Sequence, residues 1–364
     1  MSHMSTRRSG WICPLCFSLV SGFAQLGGPV RRAESPASVS PGGENRRITL
    51  DVVVTGKSGQ PRAGLEQRDF TLLDNHQPRQ IVSFQAIGGG TATADAPVEV
   101  ILVIDEINAS FVIVASQREE IEKFLRRDGG ELRQPVSVVF LSESGPAATE
   151  SSRDGNAVIA EMKQRQSGLR TLGKAQGGYG GGERALLSVD SIQRFAAYEA
   201  AIPGRKLVVW ISPGWPFGGS GPNRVDQRQQ LFDSIVNLSD ALERARITLY
   251  HVDPLGAAEA GESRTWFYEH FPPPVKTAAQ ADYGALALHV LAHQSGGRVL
   301  YAGNDVAGEI AACVADANAF YVLSFDGVAG ETPNQYHALE IRLGKPGLTA
   351  RTRSGYYAQP EIAQ

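Results

Sequence analysis

The chain reads as an α/β protein: a mostly parallel sheet with helices on both faces, inserted in a small β-sandwich built from N- and C-terminal strands. Three observations predict this. Residues 98–105 (VEVILVID) form a continuous apolar run bounded by turn signals, the pattern of a strand covered on both faces. Between residues 96 and 317 strand-like and helix-like segments then alternate, which implies βαβ units with right-handed crossovers. Residues 46–88 and 319–358 carry only short alternating strands, too few at either end for a stable sheet, so the two ends are expected to share one sandwich.

Taken in order, Arg7 and Arg8 precede a short apolar core from Trp11 to Ala24, with Gly22 and Ala24 as small residues before Gln25. That is the pattern of a secretory signal over residues 1–24, too short to span a bilayer comfortably. The alternative is a retained anchor. Cys13 and Cys16 fall inside this segment, which removes a redox or zinc reading of their C-x-x-C spacing. Cys313 is then the one remaining thiol, in an apolar helical context that suits burial. Residues 25–45, rich in Gly, Pro and Ser, read as a disordered leader.

The first strand starts at Ile48, where apolar and polar residues alternate. Residues 69–73 and 80–84 flank Asp74-Asn75-His76-Gln77-Pro78 as a hairpin. Strands are then expected at 98–104, 136–141, 207–211, 247–252 and 298–301. Ser116-Gln117-Arg118-Glu119 is a capping box that opens a helix with Ile121, Phe124 and Leu125 on one face. Further helices are expected over 157–163, 183–200, 227–246, 283–293 and 306–315. Phe320 to Phe325, the alternation around Leu339-Glu340-Ile341-Arg342-Leu343, and residues 348–353 are the closing strands.

Ligands of open parallel sheets bind beyond the carboxyl ends of the strands, which puts Asp105 and the loop Glu106-Ile107-Asn108-Ala109-Ser110 at the candidate site. Other motifs have plainer readings. Residues 168–175 nearly spell a phosphate-binding loop, but no Ser or Thr follows Lys174 and no strand precedes it. The segment 177–182 (GGYGGG) reads as a mobile loop near the sheet top, with Tyr179 as a contact residue. His289 and His293 lie four apart, yet Val290 stands where a zinc-protease glutamate would, so a helix-surface pair is the expectation. Trp266, Phe267, Tyr268, His270 and Phe271, before three prolines, form either a loop packed on its own domain or an aromatic binding rim. The net charge of −3, without a basic stripe, argues against nucleic acid as a partner.

Several ordered blocks over residues 46–358 resemble the von Willebrand factor A-related domain proteins of the acidobacterial type. They include VILVIDEINASF, PGRKLVVWISPGW, ITLYHVDPLG and YHALEIRLGKPGLTARTRSGYY. The resemblance implies a Rossmann-like von Willebrand factor A domain with a metal-ion-dependent adhesion site of the form D-x-S-x-S after the first strand. It also implies a threonine from a second loop and an aspartate after the fourth strand. Asp105 matches the first position, but Ile107 and Ala109 stand at the serine positions and Pro213 stands where the later aspartate is expected. The site is therefore degenerate: no cofactor is expected, with at most weak Mg²⁺ held by Asp105, Asn108 and Ser110.

The functional expectation is an exported, non-enzymatic protein-binding or adhesion-like module, secreted or periplasmic, with no integral membrane segment once the signal is removed. Its ligand face would comprise Asp105, Asn108, Ser110, Ser212, Tyr179, Trp266, Phe267 and Tyr268. The alternative from another class is a metal-dependent hydrolase using Asp105, His251 and Asp253. No G-x-S-x-G elbow supports a serine triad.

Overall fold

A computed structural model of the chain describes residues 46–88, 98–142, 145–165, 178–215, 217, 222–256 and 262–361. The candidate signal and leader, and the phosphate-loop-like segment, lie outside the described residues. The centre is a seven-stranded sheet. Its members are β5 (Val98–Asp105), β6 (Glu131–Ser142), β7 (Gly145–Ala148), β8 (Ser152–Asp154), β9 (Arg205–Ile211), β10 (Ile247–Val252) and β11 (Val299–Leu300). The order is β11-β10-β9-β5-β6-β7, with β8 also on β6. The pairs among β11, β10, β9, β5 and β6 are parallel, whereas β7 and β8 run antiparallel to β6.

The apolar run of β5 explains its central place. Ile101 and Val103 point into a layer made with α3 (Gly178–Glu199), α4 (Val225–Arg244) and α6 (Leu288–Gln294). Val100, Leu102 and Ile104 point to the other layer, made with α1 (Phe111–Leu125), α2 (Gly155–Gln164) and α7 (Val306–Val314). Each of these aliphatic side chains is buried almost completely, which contributes about 1.5–3 kcal/mol apiece. Because alternate residues of a strand face opposite layers, Asp105 falls on the α3 side.

The strands at the two ends of the chain form two four-stranded sheets. One has the order β14-β1-β12-β4, from β14 (Thr349–Arg351), β1 (Arg47–Thr55), β12 (Phe320–Asp326) and β4 (Ser83–Ile87). The other is β15-β13-β2-β3, from β15 (Gly355–Ala358), β13 (Gln335–Leu343), β2 (Phe70–Asp74) and β3 (Gln77–Arg79). Leu50, Val52, Phe70, Leu72, Leu323 and Tyr356 share one core between them. This pair of sheets seats at the amino end of the parallel strands. Arg205, the first residue of β9, lies over the ring of Phe320, and Arg246, just before β10, pairs with Asp51 of β1. Asp316 accepts from Tyr250 Oη at 2.8 Å and from Arg351 at 2.6 Å. The carboxyl ends of the strands therefore face away from the sandwich.

Several local expectations need correction. The hairpin closes at Asn75-His76, both at positive φ, the geometry of a two-residue turn. Its return strand is only Gln77–Arg79, because Pro78 confines it to a short edge, and β4 starts afresh at Ser83. Helix α1 begins at Phe111 and not at the Ser116 capping box, since the Ser110 hydroxyl accepts from the Ile113 amide. Helix α3 starts at Gly178, inside the segment expected to be a mobile loop. The expected helix over 283–293 is broken at Ala287 into a 3-10 turn and α6. Residues 348–353 split between β14 and an irregular link before β15. Strands β7 and β8 were not anticipated; their three or four small and polar residues carry no apolar alternation. Among the described residues no helix is long and apolar enough to cross a membrane.

Candidate functional site

The neighbours of β5 diverge: the chain leaves through α1 to β6 on one side, while β9 lies on the other. Such a switch point is where open parallel sheets place their ligands, and Asp105 ends β5 there with Ser212 directly after β9 beside it. Asp105 is fully buried. Its Oδ1 accepts from the backbone amides of Ile107 (3.1 Å) and Asn108 (3.0 Å), and from the Asn108 side-chain amide (3.1 Å). Its Oδ2 accepts from Asn108 Nδ2 (2.9 Å), Trp210 Nε1 (3.2 Å) and Ser212 Oγ (2.8 Å). Trp210 and Ser212 alternate along β9 and its exit, so both face the α3 side as Asp105 does. Asn108 Nδ2 also donates to Ser188 Oγ of α3 at 2.8 Å.

The network continues across the sheet. Ser212 Oγ accepts from the Gly214 amide at 3.1 Å, and the Ser212 carbonyl accepts from His251 Nε2 at 2.8 Å. Gly214 sits at φ 95°, a left-handed conformation that turns the chain sharply after Pro213. Asp253, also fully buried, accepts from the Leu255 amide at 3.0 Å, from Tyr268 Oη at 2.5 Å, and from the Arg264 guanidinium. Tyr268 and Arg264 belong to α5 (Glu262–Glu269), so Asp253 fastens this helix to the end of β10. Tyr268 Oη also lies 3.0 Å from the Pro213 carbonyl. Burial and the adjacent Asp253 charge push the Tyr268 phenol well above its ordinary range, so it stays a donor.

The expected site residues thus part company. Asp105, Asn108 and Ser212 come together. Ser110 does not join them; it is spent as the N-cap of α1. Trp266 is exposed and stacks on His270 at 4.1 Å, whereas Phe267 is half-buried against His289 at 4.3 Å. Tyr268 is 2% exposed and belongs to the Asp253 network, not to a surface rim. Tyr179 lies in the first turn of α3, its side chain outside the described residues. Trp210, Ser188 and Arg264 were not anticipated. The alternation of Trp210 with Ser212 was the one available signal for any of them.

His251 and Asp253, named for a hydrolase, lie in the same region, both wholly buried. Asp253 is engaged by Leu255, Tyr268 and Arg264. His251 Nε2 is held by the Ser212 carbonyl while its Nδ1 has no hydrogen-bond partner, and desolvation lowers its basicity. His289, expected on a helix surface, is instead 3% exposed among Phe267, Tyr268 and Phe271. That apolar setting, with His251 nearby, pushes its pKa down from 6.5 to about 4.

A pH dependence follows from His289. The unfolded chain takes up a proton near pH 6.5 that the folded chain refuses until about pH 4, so this contribution to stability is present above 6.5 and lost as pH falls through that window. The loss by pH 4 is about 2 kcal/mol. Glu106 and Glu309, whose carboxyls burial holds above the usual range, act in the opposite sense. Urea denaturation of the wild type and His289→Phe at pH 7 and pH 4 separates the two. The wild type should lose about 2 kcal/mol more than the variant, and parallel losses would refute the assignment.

A hard cation needs fixed oxygen ligands. The residues at Asp105 do not fit one. Both carboxylate oxygens are occupied by N–H and O–H donors, Ile107 is 2% exposed in the core, and Ala109 packs against the α1 layer. The Pro213 carbonyl faces Tyr268. Among the described residues no group of three or more His, Cys, Asp or Glu is placed to hold a metal ion.

No protein-family model matches the chain, and no curated protein matches it. Among solved structures, it is similar to an aerotolerance-related membrane protein of Bacteroides fragilis bearing multiple mutations to serine. That match has 14% identity over 61% of this chain and 98% of the other, with a TM-score of 0.34. It is also similar to the pilus adhesin SpaC of Lactobacillus rhamnosus GG, at 10% identity over 85% of this chain, with a TM-score of 0.34. The match spans 43% of the adhesin's length.

Proposed function

We propose that this chain is an exported, non-enzymatic protein-binding module, adhesion-like and of the von Willebrand factor A type. Its ligand face lies at the strand carboxyl ends and works without a divalent cation. The distribution of exposed apolar side chains carries this reading. Seven large hydrophobic residues stand exposed among the described residues: Val82, Phe111, Val112, Leu186, Tyr198, Val225 and Trp266. Four of them lie on segments that leave the carboxyl ends of the parallel strands: Phe111 and Val112 open α1 after β5, Val225 opens α4 after β9, and Trp266 lies on α5 after β10. Exposed apolar side chains on the segments that follow the strand ends are surface that a protein partner buries.

The test is affinity capture from the envelope and culture fluid of the source organism. A partner identified by mass spectrometry should bind equally in EDTA and in Mg²⁺, and should be lost on combining Phe111→Asp with Trp266→Ala. Capture that requires Mg²⁺, or that survives both substitutions, would sink the proposal. So would turnover of an ester or phosphoester substrate abolished by His251→Ala.

A further inference from the structure

The Asn108 side-chain nitrogen has three acceptors within hydrogen-bond reach. This Nδ2 lies 2.9 Å from Asp105 Oδ2, 3.1 Å from Oδ1 and 2.8 Å from Ser188 Oγ. Both amide protons are therefore used, one shared by the two carboxylate oxygens and the other given to Ser188. The orientation is forced. A carboxylate offers only acceptors, so turning the amide over would set oxygen against oxygen. Yet the orientation leaves Asn108 Oδ1 buried with no hydrogen-bond partner. An orphaned buried acceptor costs on the order of 1–3 kcal/mol, and the chain tolerates this to keep the amino half of the amide against Asp105.

We propose that the Asn108 amide takes the place of a cation at Asp105, and so ties the strand-end loop to α3 with no ion present. A cation at a carboxylate neutralises charge and bridges it to neighbouring segments. The Asn108 NH₂ group makes the same bridges by hydrogen bonds, from Asp105 on β5 to Ser188 on α3. Trp210 and Ser212 bring in β9 through the same carboxylate. In the orientation that the bond to Ser188 holds, the amide turns N–H donors and not its oxygen toward Asp105, so a metal gains no ligand from it. The loop is thus held in one state whatever the divalent-ion concentration. The proposal concerns the face proposed for binding, but its test needs no partner, so either can fail alone.

Asn108→Asp sets a second carboxylate against Asp105, and like charges at that range cannot both stay ionised without a counter-ion. The variant should therefore acquire the cation requirement that the wild type lacks. Its melting temperature should fall by about 5 °C or more in EDTA and recover in millimolar Ca²⁺ or Mg²⁺. The wild type should shift by less than about 1 °C between those conditions. Terbium luminescence excited through Trp210 gives an independent reading: absent in the wild type, saturable in Asn108→Asp, and abolished by adding Asp105→Asn. Should Asn108→Asp yield no folded protein, Asn108→Ala decides. Removing the amide without adding charge should permit weak terbium binding that still depends on Asp105. Terbium binding by the wild type at Asp105 would overturn the proposal. Either variant, folded and indifferent to cations, would overturn it equally.

Discussion

Asp105→Ala is expected to destabilise the fold by about 3–5 kcal/mol, through several buried donors left without an acceptor at about 1–3 kcal/mol each before relaxation. The substitution strands the buried Trp210 indole N–H and Ser212 hydroxyl, and leaves the part-buried Asn108 amide with Ser188 alone. The loss should be local in its consequences as well. Residues 106–116 would lose the two backbone hydrogen bonds that shape the turn after β5, so their amide exchange should rise well before that of β9 or β10. EDTA should leave the wild-type stability unchanged. Urea denaturation and hydrogen exchange check this directly. A cost below about 1 kcal/mol with unaltered exchange in 106–116 would show that the carboxylate is not the organiser of the strand-end loop.

Deleting residues 337–364 should have a larger effect, felt mainly at the other end of the sequence. The deletion removes β14, β15 and most of β13. Strand β2 then loses its partner along Phe70 to Asp74, and β1 loses the strand that covers Val53 to Thr55. The shared core loses Leu339, Tyr356 and Ala358. Asp74, wholly buried, loses both His337 and the Tyr356 hydroxyl, each at 2.8 Å. What remains of that sheet is the β2–β3 hairpin, and two strands alone are marginal. Amide protection across residues 46–88 should therefore collapse in the truncated chain. Full protection there would mean that the N-terminal strands stand by themselves.

The parallel strands were legible because each is a run of apolar residues with polar ends, and 98–105 and 247–252 fold with those bounds. Helix faces were legible for the same reason: Ile121, Phe124 and Leu125 are buried as their spacing requires. Helix beginnings were less so, since Ser110 and Ser116 are equally good caps and only the tertiary seat of the loop chooses between them. The site was legible at its first residue and its register. That Ile107 and Ala109 offer no oxygen was visible in the residue types. That Trp210 donates from the neighbouring strand depends on a contact across 105 residues of sequence, and the inward turn of Asn108 onto Asp105 is completed by Ser188, 80 residues away. The aromatic insertion misled because composition does not say which ring turns inward. Tyr268 does so because Asp253 offers its hydroxyl an acceptor, and Trp266, two residues earlier, stays outside.

The pairing of β1 with β12 carries a cost in time. Arg47 meets Asp326 across 279 residues, and the whole α/β layer lies between them. At a synthesis rate of about 5–20 residues per second, the first strand waits about 14–56 s for its neighbour. During that interval Ile48, Leu50, Val52 and Val54 can rest only on the near part of their core, Leu65, Phe70, Leu72 and Ile81, without the strand that pairs with them. The intervening layer suffers no such delay, because each of its strands finds a neighbour from the next crossover. Assembly is thus ordered from the middle outward: the inserted body forms first, and its completion brings the two ends of the chain within reach of each other.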